Sequence, residues 1–124
     1  MKKYITGDLL HYKICNAKYL IEVTNTSKHG YCFKGVKDDF NGVICDEFIE
    51  DIPLTPEILE KNGWKKNKDG YFNDSYHIRL CENNTNYSAY KVVNDSIVWL
   101  RAVENVPDLQ HLLFGLDISL KIEV

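Results

Sequence analysis

The chain has 124 residues and a formal net charge of −3, from 15 Lys and Arg against 18 Asp and Glu. Its 44% apolar and 27% charged content excludes disordered, collagen-like and coiled-coil chains. The length fits one compact domain spanning 1–124, with a strand-rich first half over about 1–51 and a helix–meander–helix second half over about 52–124. The mild acidity is spread along the chain, so generic contact with a phosphate backbone has little electrostatic drive.

The opening MKKYITGDLLHYKI is broken by Thr6, Gly7 and Asp8 before the apolar region of a signal peptide could develop. No stretch approaches the roughly 20 apolar residues of a membrane helix. A cytoplasmic protein with no membrane partner is the expectation, and Cys15, Cys32, Cys45 and Cys81 then read as reduced thiols.

Short strands come first. LLHYKI places Leu10, Tyr12 and Ile14 on one face; YLIEV groups Tyr19, Ile21 and Val23; GYCFK pairs Tyr31 with Phe33; GVICDEF continues the extended pattern. The spacers between them are rich in Gly, Asn and Asp. Short strands at this density predict a curled antiparallel sheet or a small SH3-like barrel, which buries one face and limits exposed edges.

In DIPLTPEILEKNGW every signal of a short helix is present. Thr55 caps it, Pro56 takes the first turn, Leu54 and Leu59 form a hydrophobic staple, and Gly63 supplies the left-handed stop. Strands then return: KKNKDGYF with a turn signal at Asp69-Gly70, SYHIRLCE, NYSAYKVV, and SIVWLRAV after a turn at Asn94-Asp95. This second antiparallel meander needs a cover. NVPDLQHLLFGL supplies one, a second short helix with Leu109, Leu112, Leu113 and Leu116 at the helical period. ISLKIEV reads as a final short strand. The expected fold class is therefore α+β: a curled antiparallel sheet, a second meander and two short helices.

The runs IPLTPEILEKNGW and VPDLQHLLFGLDISLKI resemble a family of small uncharacterised proteins of gut Bacteroides-type bacteria, their phages and mobile elements. The resemblance covers the order of segments from about Leu9 to Ile122 and is strongest at 52–64 and 106–116. Pro107 and Leu113 stand where that family commonly has a histidine and a tyrosine. The resemblance implies work in host interaction or counter-defence, by sequestering a small nucleotide, and implies no catalytic set.

Residues that could carry chemistry are scattered. There is no C-x-x-C and no H-E-x-x-H, and His77 and Cys81 would lie roughly 13 Å apart along a strand, so no metal site is expected. Cys81 is the best nucleophile because its face also carries His77 and Arg79, yet neighbours on one strand face sit near 7 Å apart, too far for a direct pair. Asp38-Asp39, Asp46-Glu47 and Glu50-Asp51 point to opposite faces and read as a solvated rim. No catalytic residue and no cofactor is expected.

The aromatics, 12% of the chain, are the suggestive feature. Tyr12, Tyr31, Tyr76, Tyr87, Tyr90 and Trp99 form the pool from which an exposed cluster could come. Tyr76, Arg79, Tyr87, Tyr90, Trp99 and Arg101 are the expected binding residues, with rings to stack and guanidinium groups to meet phosphate. A non-enzymatic binding or interaction module leads, for a protein or small-molecule partner and with homo-oligomer formation in view. A small-nucleotide sequestering protein is one alternative. The other is an SH3-like nucleic-acid module using Lys13, Lys18, Lys28, Lys34 and Lys37.

Overall fold

A computed structural model describes residues 4–124 and divides the chain into two compact units, Met1–Ile52 and Pro53–Val124.

The first unit is an antiparallel sheet in the order β4-β3-β2-β1-β5, built from β1 (Leu9–Ile14), β2 (Ala17–Ser27), β3 (Gly30–Gly35), β4 (Asn41–Ile44) and β5 (Ile49–Asp51). The alternation in β1 to β3 decides its buried face. Leu10, Ile21, Val23, Tyr31, Phe33 and Ile44 form the core with Tyr4, and Tyr12, Phe40 and Ile49 pack against it. A ring of four edge-to-face aromatics extends that core: Tyr12, Tyr19, Phe40 and Phe33, with neighbouring centroids 5.5–6.3 Å apart.

This sheet is open, which corrects the expected curled sheet or SH3-like barrel. It ends in two short edges, β4 of four residues and β5 of three. GVICDEF does not continue as one strand, because a 3₁₀ turn at Asp46–Phe48 separates β4 from β5. The apolar face is covered by Tyr4 and Phe40 instead of by closure.

The second unit holds α1 (Pro56–Lys61), β6 (Lys65–Asn67), β7 (Gly70–Asn73), β8 (Ile78–Glu82), β9 (Tyr87–Val93), β10 (Ser96–Val103) and α2 (Val106–Gly115). Its five strands form an antiparallel meander in the order β10-β9-β8-β7-β6. KKNKDGYF is itself a hairpin, so the meander has five strands and not the four of the sequence reading. The turn residues are Lys68 and Asp69, one position earlier than expected. Gly70 is required for a different reason: a Cβ there would sit 2.1 Å from the Leu80 carbonyl oxygen of the neighbouring strand.

Tyr71, Ile78, Leu80, Ala89 and Val103 make the buried face of this sheet. The expectation of two short helices is corrected too. α2 is the one helix of substance, ten residues long, with Val106, Leu109, Leu112 and Leu113 buried. α1 has six residues, about a turn and a half, too short to hold its shape without packing. The expected C-terminal strand is absent: 117–124 forms no ladder. Asn62 holds that segment with its side chain, accepting from the Glu123 N–H and donating to the Glu123 carbonyl, both at 2.7 Å.

Candidate ligand-binding face on the second sheet

The register of the meander brings chemistry together that the linear sequence separates. Lys65 lies opposite Phe72, Phe72 opposite Arg79, Arg79 opposite Tyr90, and Tyr90 opposite Trp99. Opposite residues in an antiparallel ladder project from the same face, so these five form one row across all five strands. With strands about 4.8 Å apart, Phe72 and Trp99 stand roughly 14 Å from each other. The row lies on the face opposite Tyr71, Leu80 and Ala89. Arg79 is exposed between two half-buried rings, and Trp99 is 59% exposed at the sheet edge.

The flanking positions of the same face are Cys81 and Ser88 on one side and Val92 and Ile97 on the other. Lys65 and Arg79 are its cations, and none of these ladder positions carries a carboxylate, although the whole chain is acidic. Beside the row is a shallow concavity of about 250 Å³ lined by Asn67, Phe72, Asn73, Asp74, His77, Ile78, Arg79 and Val92. Its rim is set by a turn in which His77 takes a left-handed backbone, φ 55°, and its carbonyl accepts from the Val92 N–H at 2.8 Å. Cys81 has Gly70 and Ser88 as its cross-strand neighbours, so neither residue opposite it is a base.

Of the six residues expected from sequence, Arg79, Tyr90 and Trp99 meet in this row, and the other three stand elsewhere. Tyr87 is on the buried face, 6.2 Å edge-to-face from Tyr71. Its hydroxyl titrates above the ordinary range, because burial, then Glu82, then Tyr71 disfavour the phenolate. Tyr76 lies in the 74–77 turn outside any strand, and its carbonyl accepts from the Lys91 ammonium. Arg101 is turned to the buried-face side by a bulge between Trp99 and Arg101. There it meets the Asp108 carboxylate at 3.2 Å, and the other oxygen of Asp108 accepts from the Glu104 N–H at 3.0 Å. Arg101 and Asp108 thus tie β10 to the start of α2.

Phe72 and Lys65 belong to the row and were not singled out from sequence. A hairpin register drawn through the 68–69 and 74–77 turns would have placed Phe72 opposite Arg79 and Lys65 opposite Phe72. In the first unit, three of the five lysines expected to form a basic patch face carboxylates instead. Lys18 and Lys13 reach Glu50 at 3.0 and 3.7 Å, and Lys34 reaches Glu22 at 3.9 Å. A second concavity, about 550 Å³, is lined by Tyr4, Lys28, His29, Tyr31 and Asp46 among others.

Among the described residues, no group of three or more His, Cys, Asp or Glu is placed to hold a metal ion, and no helix is long and apolar enough to cross a membrane. Comparison with protein-family models, curated proteins and solved structures gives no match. These comparisons lend no support to the Bacteroides-type and phage setting implied by the sequence resemblance, and the SH3-like reading is set aside because the first sheet is open.

Proposed function

We propose that the protein is a non-enzymatic binding module whose second sheet takes a small ligand combining a flat ring with negative charge, of the nucleotide class. The observation that carries this reading is the row Lys65–Phe72–Arg79–Tyr90–Trp99 on a face whose ladder positions carry no carboxylate. Phe72, Tyr90 and Trp99 offer rings on which a base stacks, an interaction worth about 1–3 kcal/mol per base. Arg79, placed between two of those rings, presents a planar fork of donors suited to a phosphate. The concavity beside Arg79 gives room for the phosphate or ribose, with Asn67 and His77 at its wall. Binding of this kind holds the ligand without transforming it. The reading places the protein in the cytoplasm, where its four unpaired cysteines remain thiols.

Calorimetry and thermal shift with mononucleotides, cyclic dinucleotides and a short oligothymidylate test it. One class of small nucleotide is expected to bind and raise the melting temperature. Arg79→Ala is expected to weaken that binding by at least about tenfold, as loss of a charge-assisted hydrogen bond does. Binding of the oligonucleotide alone, or equal affinity in Arg79→Ala, would overturn the reading.

A further inference from the structure

Two asparagines in this chain are followed directly by glycine, Asn41 at the start of β4 and Asn62 at the end of α1. A glycine in that place leaves its backbone nitrogen unshielded, because no Cβ hinders approach to the preceding side-chain carbonyl. The two pairs are held in opposite ways. The Asn62 amide donates to the Ile58 and Glu123 carbonyls and accepts from the Glu123 N–H, each at 2.7 Å. The Gly63 N–H is engaged as well, with the Glu60 carbonyl at 3.2 Å. Asn41 is exposed, and its side chain has no hydrogen-bond partner among the described residues. It opens a four-residue edge strand and stands opposite Lys34 in the last pair of the β3–β4 ladder. Gly42 follows, also exposed, opposite Phe33. The end of so short an edge opens at little cost in free energy, which releases the Gly42 nitrogen from the ladder.

We infer that Asn41–Gly42 is a site of spontaneous deamidation, and that its packing protects Asn62–Gly63 from the same reaction. The Gly42 backbone nitrogen gives its proton to hydroxide and attacks Cγ of Asn41. The bond from Cγ to the side-chain nitrogen then breaks, and that nitrogen takes a proton from water and leaves as ammonia. The product is a succinimide ring, which water opens. Opening at Cγ leaves an aspartyl residue in an unchanged backbone. Opening at the main-chain carbonyl leaves an isoaspartyl link, in which the chain runs through Cβ and Cγ. Water is consumed and ammonia released, and nothing is oxidised or reduced. Both products carry a new negative charge at the ladder position opposite Lys34. The isoaspartyl link also adds a methylene to the main chain of β4 ahead of Ile44, which lies in the core of the first unit. An added backbone atom upsets the strand period that turns Ile44 inward, so the reaction loosens this edge of the sheet.

The reaction needs no ligand and is tested on the full chain alone. The folded protein is held in mildly alkaline buffer for several days and sampled by peptide mapping with mass spectrometry. Aspartyl and isoaspartyl forms are expected to accumulate at position 41, with ammonia released in equal amount, while Asn62 stays an amide. In denaturant, where no packing restrains either side chain, the two sites are expected to react at similar rates. Gly42→Ala places a Cβ beside the attacking nitrogen, resting against the Phe33 ring at 3.4 Å, and is expected to remove most of the conversion at 41. Should Gly42→Ala fail to fold, as judged by its thermal transition, the comparison of Asn41 with Asn62 in the wild type gives the decision. An Asn41 that stays intact in the folded chain, or an Asn62 that converts there as fast as Asn41, would overturn the inference.

Discussion

His11 shows how one side chain links the first sheet to pH. It lies between Leu20 and Glu50 in the ladder, and its Nδ1 is buried with no hydrogen-bond partner. Burial, and then the Lys18 ammonium, hold its imidazole below the ordinary value of 6.5, with Glu50 acting the other way. The unfolded chain therefore takes up this proton first as pH falls. The His11 contribution is complete above about pH 6.5 and is lost as pH drops from there through the lowered folded-state value. Urea midpoints between pH 8 and 5 are expected to fall on the acid side in the wild type and to fall less in His11→Gln. Equal profiles for the two proteins would contradict this.

At the same scale, the strand period was enough to separate Tyr90 from Tyr87, since positions three apart face opposite ways. It was not enough for Arg101. Counting by twos from Trp99 puts Arg101 on the outer face, but the extra residue of the bulge reverses it, and no residue type in WLRA announces a bulge. Tyr76 was misplaced for a similar reason. The left-handed backbone at His77 ends the extended run before Ile78, and one histidine inside an alternating run is too weak a signal of such a stop.

The helix starts and the end of α1 were legible because single side chains make them. Thr55 accepts from the Ile58 N–H at 3.3 Å, and Asn105 accepts from the Asp108 N–H at 2.9 Å. After α1, Gly63 adopts φ 87°, its N–H bonding to the Glu60 carbonyl and the Trp64 N–H to the Leu59 carbonyl at 3.0 Å. After α2 the same motif is built with Asp117 at φ 59° in the glycine position, and Ile118 donates to the Leu113 carbonyl at 2.9 Å. These two sites predict opposite signs. Gly63→Ala forces a Cβ into the left-handed region and is expected to cost about 1 kcal/mol. Asp117→Gly relieves such a cost and removes a negative charge from the helix C-terminus, for a gain of roughly 0.5–1 kcal/mol. Chemical denaturation of both variants checks the pair, and a common sign would contradict the assignment. The missing C-terminal strand was not legible in the same way. ISLKIEV has strand-forming residues, but it is held by the two faces of the Asn62 amide, a partner 61 residues away.

For the whole molecule, two antiparallel sheets follow from short alternating runs separated by turn residues. Whether the first would close did not follow, because closure depends on how long the terminal strands are and what else covers the apolar face. A three-residue β5, and the aromatic cover from Tyr4 and Phe40, leave the sheet open. The binding face was half legible: its rings and cations were in the sequence, whereas their alignment depends on a register set by four turns. Trp99 offers the most direct measurement of that face. The other tryptophan, Trp64, is 2% exposed, and Trp99 is 59% exposed. A nucleotide stacking on the row is expected to quench and shift the Trp99 emission while the Trp64 contribution stays fixed. In Trp99→Phe, which keeps a ring in place, the ligand is expected to bind with no change in tryptophan emission. A nucleotide that binds the wild type without altering Trp99, or that alters emission equally in Trp99→Phe, would show that the ligand sits elsewhere.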